Sequence, residues 1–225
     1  MPILHHQNIE AIGEIGLWQI EESEAWFLEH LNLFPREQAQ LAQIKGHRRI
    51  EWLAARQLVH QMSGRIKRAA FIKDEYGKPH LEDAEWQISI SHSRDISAAI
   101  AAAVSVGIDV QKIVSKITRI IPKFMNAAEQ ANLDPVHSIL HAHVYWGAKE
   151  ALYKAYGRRA LDLCTHIQLH PFTFQKDQGT CLGSIHKDTY RQDFQICYQL
   201  LPQQYMLVYA WAIGNPLDDQ KLDAT

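Results

Sequence analysis

Four strand-like stretches follow one another in the last third of the chain, with no helix-length segment between them. They lie near residues 165–174, 180–186, 193–201 and 205–213. Parallel neighbours need a long crossover connection, usually a helix, whereas antiparallel neighbours can be joined by a tight turn. The second half is therefore predicted to form an antiparallel sheet, and the chain an α+β fold.

The first half combines a long helix with strands. Residues 36–62 are predicted to be largely helical, because apolar residues such as Leu53 and Leu58 recur on one stripe. Residues 86–93, WQISISHS, alternate apolar and polar residues and predict a strand. Trp86, Ile88 and Ile90 are expected on one face, and Gln87, Ser89 and Ser91 on the other.

The same order of helix and meandering strands recurs in the second half. The chain is therefore predicted to consist of two similar α+β halves, each with an antiparallel sheet and a packed long helix. The first half is predicted to span residues 1–104 and the second half residues 105–225, with the boundary at a hinge near Ser105 to Gly107.

Composition narrows the class of protein. The 225 residues are 47% hydrophobic and 21% charged, as in one large or two small globular domains. A formal net charge of -2 gives no overall attraction to nucleic acid or to an anionic membrane. Neither is expected as a partner.

A cytoplasmic location is expected from two further features. The first residues lack the basic and apolar regions of a signal peptide, and no segment reaches the roughly 18 apolar residues of a membrane span. The cysteines Cys164, Cys181 and Cys197 are few and far apart, which favours a reducing compartment over a disulfide framework.

The segment HVYWGAKEALYKAYGRR, residues 143–159, predicts an amphipathic helix. Its apolar stripe consists of Ala148, Ala151, Leu152 and Ala155. Glu150 and Lys154 point the opposite way, flanked by the aromatic residues Trp146 and Tyr153. This face is either an ordinary surface ion pair or a reactive face bordering a cleft.

Oxygen-bearing side chains in GIDVQ suggest a metal site. In a strand, Asp109 and Gln111 share the face opposite to Ile108 and Val110. Together with Glu150 they offer two carboxylates and an amide oxygen, which are hard ligands of the kind that Mg²⁺ accepts beside a phosphate. The alternative is a pair of unrelated surface carboxylates.

Cationic and hydroxyl side chains in the first half suggest phosphate binding. They are Arg48, Arg49, Arg56, Lys78, Ser91 and His92. The alternatives are a solvated helix face for the arginines and a structural role at the strand end for His92.

The histidines His137, His141 and His143 form a separate group. It contains a pair spaced i,i+4, as in zinc sites, but no third zinc ligand of clear geometry.

These motifs together resemble a known enzyme family. GKP, SISHS, GIDVQ and WGAKEALYK, in this order between about residues 48 and 161, are similar to the 4′-phosphopantetheinyl transferases of the surfactin-synthetase-activating (Sfp) type. The resemblance implies two α+β halves related by a pseudo-two-fold axis, with coenzyme A in the groove between them. It also implies transfer of the phosphopantetheine arm to a serine of an acyl or peptidyl carrier protein, with release of 3′,5′-ADP.

The resemblance assigns roles to individual residues. Asp109 and Glu150 would hold Mg²⁺, Lys154 would reach the phosphate under attack, and Glu150 would take the proton of the carrier serine, directly or through a water. Lys78 and His92 would contact phosphates of coenzyme A.

The rest of the implied binding pocket is less defined. Ser91 would line it, and one arginine among Arg48, Arg49 and Arg56 would contact a phosphate. The carrier would meet the segment RIIPKFMN through charges at Arg119 and Lys123. The apolar residues Ile120, Ile121 and Phe124 of this segment are either carrier contacts or core. A monomer suffices for such a site.

The chain departs from the family pattern at two positions. Gln111 stands where a second acid is usual, so the metal would receive a neutral amide or a water there. Arg159, after the helix, stands where a small residue is common. The alternative function is therefore a non-catalytic homologue that binds coenzyme A or a nucleotide.

Overall fold

The computed structural model describes residues 3–9, 12–82 and 84–218. The chain forms two compact units, Met1–Val104 and Ser105–Thr225. Each unit contains an antiparallel sheet, a long helix and a hydrophobic core. The predicted α+β class is confirmed.

The first unit is a six-stranded antiparallel sheet packed by helices. Its strands are β1 Ile3–Ile9, β2 Gly13–Gln19, β3 Phe71–Lys73, β4 Pro79–Leu81, β5 Gln87–Ser93 and β6 Ile96–Ala102. Its helices are α1 Glu24–His30, α2 Pro35–Gln43 and α3 Arg48–Met62. The strands are ordered β1-β2-β6-β5-β4-β3 across the sheet.

Helix α3 supplies most of the helical side of this core. It packs on β2, β5 and β6, and its residues Leu53, Ala54 and Leu58 are fully buried. Trp18 of β2 and Phe27 of α1 are also fully buried in the same cluster. Burying one large apolar side chain contributes about 1.5–3 kcal/mol, so this cluster dominates the stability of the unit.

One expectation for the first unit needs correction, and the burial of β5 adds a finding. The helix predicted over residues 36–62 is two helices, because the chain leaves the helical conformation at Ile44 and passes through Gly46 at φ 64°. Ser89 and Ser91 are only 3% and 7% exposed, so both faces of β5 are covered. Alternation identifies which residues share a face of a strand, but it does not reveal whether that face meets solvent.

The second unit is a five-stranded antiparallel sheet packed by one long helix. Its strands are β7 Val106–Lys112, β8 Ile167–Leu169, β9 Gln178–Lys187, β10 Tyr190–Leu201 and β11 Tyr205–Asp218. Its α-helices are α4 Ala127–Ala131 and α5 Ser138–Tyr156, and 3₁₀ turns span Ser115–Arg119, Ile121–Lys123 and Pro202–Gln204. The strand order is β7-β11-β10-β9-β8.

Helix α5 packs on β7 and β11 through the predicted apolar stripe. The stripe residues Ala148, Ala151, Leu152 and Ala155 are all at most 2% exposed, which confirms the prediction. Small side chains on this stripe let the helix approach the sheet closely, and that approach positions the candidate site described below.

Helix α4 begins with a capping box, and the N-x-x-E pattern of Asn126 and Glu129 in the sequence predicts this helix start. Asn126 Oδ1 accepts a hydrogen bond from the Glu129 nitrogen at 3.0 Å, and Glu129 Oε2 accepts one from the Asn126 nitrogen at 2.9 Å. Among the helices of the described residues, none has the length and apolar character required to cross a membrane.

Candidate active site

Strand β7 and helix α5 touch through their backbones at Gly107. A Cβ atom at Gly107 would lie 1.8 Å from the Ala151 carbonyl oxygen and 3.0 Å from the Ala155 nitrogen. Only a residue without a side chain allows this approach. The contact explains the glycine of GIDVQ and brings Asp109 beside the polar face of α5.

Asp109 and Lys154 form a direct ion pair across this contact. Lys154 Nζ donates to Asp109 Oδ1 at 2.9 Å and to the Ile108 carbonyl oxygen at 2.7 Å. The Asp109 side chain is 10% exposed and that of Lys154 is 27% exposed, so the pair borders solvent on the lysine side. Lys154 therefore bonds to the strand, and the interpretation of Glu150 and Lys154 as an ordinary surface pair is wrong.

Glu150 lies one helical turn before Lys154, and the charges of Asp109 and Lys154 both act on its carboxyl group. Burial raises the pKa of Glu150, the negative charge of Asp109 raises it further, and Lys154 partly opposes both effects. The two carboxylates are thus close enough to repel each other. Such paired acids with a shifted pKa are typical of functional sites.

Gln111 extends the cluster to the start of α5. Its Nε2 atom lies 3.2 Å from Asp109 Oδ2 and 3.2 Å from the His143 carbonyl oxygen, and its Oε1 atom lies 2.8 Å from His143 Nδ1. His143 is 2% exposed, and burial lowers its pKa. A Cβ atom on Gly147 would lie 3.0 Å from Gln111 Nε2 and 2.5 Å from Val208 Cγ2, so this glycine makes room for the amide.

The oxygen ligands at this position fit a hard divalent cation. Asp109 and Glu150 offer two carboxylates whose mutual repulsion a cation such as Mg²⁺ would relieve. Within the described residues no group of three or more His, Cys, Asp and Glu side chains is arranged for a metal. The zinc-like histidines His137, His141 and His143 form no such group either.

The first unit contains a cavity of about 690 Å³ beside α3. Lys45, Arg48 and His92 line it on the polar side, and Trp52 lines it on the aromatic side. His92 Nδ1 lies 3.1 Å from Glu51 Oε2. The cavity therefore combines cationic groups with a flat ring, which suits a phosphorylated nucleotide.

The three arginines of α3 have different surroundings. Arg49 is held by Glu24, with its Nη2 atom 2.6 Å from Oε1, and it also donates to the carbonyl oxygens of Leu41 and Ile44. Arg48 lines the cavity, and no ion pair of its guanidinium occurs in the part of the chain that the structure describes.

Arg56 also lines the cavity, but most of its side chain is buried in the first unit. It is 3% exposed, its Nε atom lies 3.3 Å from Glu37 Oε1, and its guanidinium stacks 3.1 Å from the centre of the Trp52 ring. Glu37 is itself fully buried and accepts hydrogen bonds from Arg68 as well. The sequence placed Arg56 on a polar face of the helix, whereas the structure places it in the core.

Lys78 and Ser91 lie elsewhere in the first unit. Lys78 follows the turn between β3 and β4, where its backbone nitrogen donates to Asp74 Oδ1 at 2.8 Å. Burial lowers the pKa of the Lys78 side chain, and Asp74 opposes this. Ser91 is a buried residue of β5, and neither residue belongs to the described lining of the cavity.

The segment expected to meet the carrier protein divides into exposed and buried residues. Arg119 and Lys123 are exposed, and Ile120 and Ile121 are partly buried against the core. Phe124 is fully buried and packs edge-to-face on Trp146, with ring centres 5.1 Å apart. Of the two open interpretations, the core one applies to Phe124.

The sequence considered alone gave His143 only a zinc-like spacing and gave Lys149 no role. His143 lies seven residues before Glu150, which places both on one face of α5, so a helical wheel contained this signal. Lys149 is fully buried and donates to Glu129 Oε2 at 2.7 Å and to the carbonyl oxygens of Leu163 and Ile167. No local signal reveals this pairing, because its partners come from separate segments.

Two family models match the chain. The model of the 4′-phosphopantetheinyl transferase superfamily matches residues 105–212, and that of the 4′-phosphopantetheinyl transferase N-terminal domain matches residues 36–102. Comparison with curated proteins finds no relative of the chain. The two matches cover most of both units, and the chain belongs to the 4′-phosphopantetheinyl transferase superfamily. The expectation that it is a transferase of this kind is confirmed.

Proposed function

We propose that the protein transfers the 4′-phosphopantetheine arm of coenzyme A to a serine of an apo acyl or peptidyl carrier protein, with Mg²⁺ as cofactor. The observation that carries this proposal is the contact of Lys154 with Asp109 beside Glu150. It joins the two motifs on which family membership was first expected, and it assembles charges suited to a pyrophosphate.

The proposed reaction exchanges one phosphorus–oxygen bond for another. The serine oxygen of the carrier attacks the phosphorus that bears the pantetheine arm, and the bond from that phosphorus to the bridging oxygen breaks. The leaving group is 3′,5′-ADP. Glu150 takes the serine proton, directly or through a water.

Charge stabilisation is the main task of the site residues. Mg²⁺, held by Asp109 and Glu150, would neutralise the pyrophosphate. Lys154 uses one N–H for Asp109 and one for Ile108, so its third N–H is available to a phosphate oxygen. Gln111 occupies the third position of the acid cluster.

The cavity of the first unit is proposed to bind the phosphorylated nucleotide part of coenzyme A. Arg48 and Lys45 supply its cationic lining, and His92 adds an imidazole. Lys78 is proposed to contact another phosphate oxygen of coenzyme A, and Ser91 to lie along the coenzyme A pocket. Arg49 and Arg56 are proposed to hold α3 in place, because carboxylates and carbonyl oxygens already engage them.

The role of Arg48 can be tested with a pair of substrates. Arg48→Ala should raise the KM for coenzyme A about tenfold, the cost of losing one charge-assisted hydrogen bond. It should change the KM for dephospho-coenzyme A, which lacks the 3′-phosphate, much less. Arg65→Ala, at an exposed arginine of the same unit, is the control. An equal effect on both substrates would rule out contact with the 3′-phosphate.

An acidic carrier is proposed to dock on the 3₁₀ segment of the second unit. Lys116, Arg119 and Lys123 are exposed there, beside the partly exposed Ile120 and Ile121. The reaction is proposed to occur in a reducing cytoplasm, and one copy of the chain is proposed to suffice.

The transfer itself is tested by mass spectrometry of the carrier. The purified protein is mixed with coenzyme A, Mg²⁺ and an apo carrier protein, and the carrier should gain the mass of one phosphopantetheine arm. Asp109→Asn should abolish this gain, whereas Asp177→Asn, at an exposed aspartate, should not. Binding of coenzyme A without any gain would favour the non-catalytic alternative.

A further inference from the structure

The side chain of Gln111 is enclosed by a network that defines which way its amide points. Its Nε2 atom faces two oxygen atoms, Asp109 Oδ2 and the His143 carbonyl oxygen, each at 3.2 Å. Turning the amide over would bring Oε1 against these two acceptors. Neither a carboxylate nor a carbonyl can donate a hydrogen bond, so the NH₂ group must face them.

The imidazole of His143 completes the network from the other side. His143 Nε2 faces both backbone groups of Val114: the nitrogen, which donates, at 3.0 Å and the carbonyl oxygen, which accepts, at 3.2 Å. With the NH₂ group of Gln111 toward its two acceptors, Gln111 Oε1 faces His143 Nδ1 at 2.8 Å, and since an amide oxygen can only accept, the ring proton is on Nδ1. His143 Nε2 can then accept from the Val114 nitrogen, which is the nearer of its two Val114 neighbours, so this end of the ring agrees with the amide orientation that the two acceptors give.

We propose that His143 is a positioning residue that fixes the Gln111 amide with its NH₂ group toward Asp109. Gln111 then serves as a hydrogen-bond donor to the Asp109 carboxylate and not as a metal ligand. Asp109 is held at Oδ2 by Gln111 and at Oδ1 by Lys154. The statement that Gln111 does not bind the metal rests on the proposed function, whereas the orientation of its amide does not.

This arrangement explains how the chain functions without an acid at position 111. A second carboxylate there would face Asp109 Oδ2 at the 3.2 Å that now separates a donor from an acceptor. The amide instead stabilises the Asp109 carboxylate in one orientation. Removing a residue that orients a metal ligand through a hydrogen bond typically lowers metal affinity by about 10–100-fold.

The ring tautomer of His143 tests the network without any substitution. In the full-length protein without metal or coenzyme A, ¹⁵N NMR of the imidazole should show the proton on Nδ1. A proton on Nε2 would overturn the proposal, because Nδ1 could then not donate to Gln111 Oε1.

Two substitutions separate positioning from simple packing. His143→Asn can keep a donor near the place of Nδ1, whereas His143→Gln keeps a polar group near the place of Nε2 only. The side-chain NH₂ protons of Gln111, assigned with Gln111→Glu, should exchange with solvent about tenfold faster in His143→Gln, the equivalent of one lost hydrogen bond. His143→Asn should restore slow exchange. Equal exchange in both variants would contradict the proposal.

Metal affinity tests whether Gln111 is a ligand of the metal. Mn²⁺ binding to the complex with coenzyme A, without carrier, is followed by electron paramagnetic resonance. His143→Gln should weaken Mn²⁺ binding about tenfold, and His143→Asn should leave it near the wild-type value. Unchanged or tighter binding in His143→Gln would show that the released amide oxygen is a ligand. Absence of Mn²⁺ binding by the wild-type protein would instead contradict the proposed function, and the tautomer would still decide the network.

Discussion

The ammonium group of Lys154 connects α5 to β7 by donating to Asp109 Oδ1 at 2.9 Å and to the Ile108 carbonyl oxygen at 2.7 Å. The lysine of one motif thereby holds the aspartate of the other. The ion pair orients the Asp109 carboxylate and leaves part of the lysine side chain in contact with solvent.

Replacing Lys154 with methionine should lower the rate of phosphopantetheine transfer by at least about 100-fold. Loss of one preorganised donor at a reacting group typically has an effect of this size. The rate is measured by mass spectrometry of the carrier at saturating coenzyme A. Lys176→Met, the same change at an exposed lysine, should retain the wild-type rate. Comparable rates for the two variants would refute the assignment.

Replacing Glu150 with glutamine should stabilise the metal-free protein at pH 7 by about 1 kcal/mol, as expected for relief of charge strain at a functional site. Burial and Asp109 raise the pKa of Glu150, so its ionised form disfavours folding. The penalty is absent below the ordinary pKa of 4.5 and grows as pH rises through the folded-state pKa.

Urea unfolding without metal checks this prediction at pH 7 and below pH 4.5. The gain in Glu150→Gln should be present at pH 7 and vanish in acid. Glu75→Gln, at an exposed glutamate, should show neither effect. Lower stability of Glu150→Gln at pH 7 would be inconsistent with the charge repulsion described above.

Replacing Lys149 with methionine should destabilise the second unit by about 3–5 kcal/mol, because a buried carboxylate loses its partner. Lys149 is fully buried and donates to Glu129 at 2.7 Å, and burial lowers its pKa while Glu129 opposes the shift. Chemical denaturation measures the loss. Adding Glu129→Gln should recover part of it, since the unpaired charge is then removed. A double variant that lost the full sum of both single effects would argue against coupling.

Replacing Gly107 with alanine should reduce both stability and transfer. The new Cβ would meet the Ala151 carbonyl oxygen, so β7 and α5 must move apart. Overpacking of this kind typically destabilises a protein by about 1–3 kcal/mol. Thermal unfolding and the transfer assay measure the two effects. Gly147→Ala is the matched comparison, because its clash is with the Val208 side chain and Val208→Ala should relieve it. A wild-type transfer rate in Gly107→Ala would contradict the proposed importance of this contact.

Replacing Ala160 with glycine should stabilise the protein by up to about 1 kcal/mol. Ala160 adopts φ 67°, a left-handed conformation that costs a residue with a side chain about 1–2 kcal/mol. Arg159, where the family commonly has a small residue, is not among the described residues with positive φ. Arg159→Gly should therefore lose about 0.5–1 kcal/mol through unfolded-state entropy. Thermal unfolding of both variants measures the two changes in stability. A change in the same direction for Ala160→Gly and Arg159→Gly would contradict this prediction.

The local sequence predicted those features that depend on residues close together in the chain. The α+β class followed from the order of strands and helices, the buried side of α5 from the spacing of its alanines, and the start of α4 from Asn126 and Glu129. Periodicity and capping act over a few residues, so each is readable from a short window. The roles of Asp109, Glu150 and Lys154 followed from a resemblance and remain proposals.

The tertiary structure decided what depends on partners far apart in the chain. Arg48 and Arg56 both line the cavity, but Arg56 is engaged by Glu37, as Arg49 is by Glu24, whereas Arg48 has no ion pair within the described residues. The orientation of the Gln111 amide depends in the same way on His143 in another element. Hydrogen bonds and burial are set by distances in the folded chain, and no spacing within the sequence determines them.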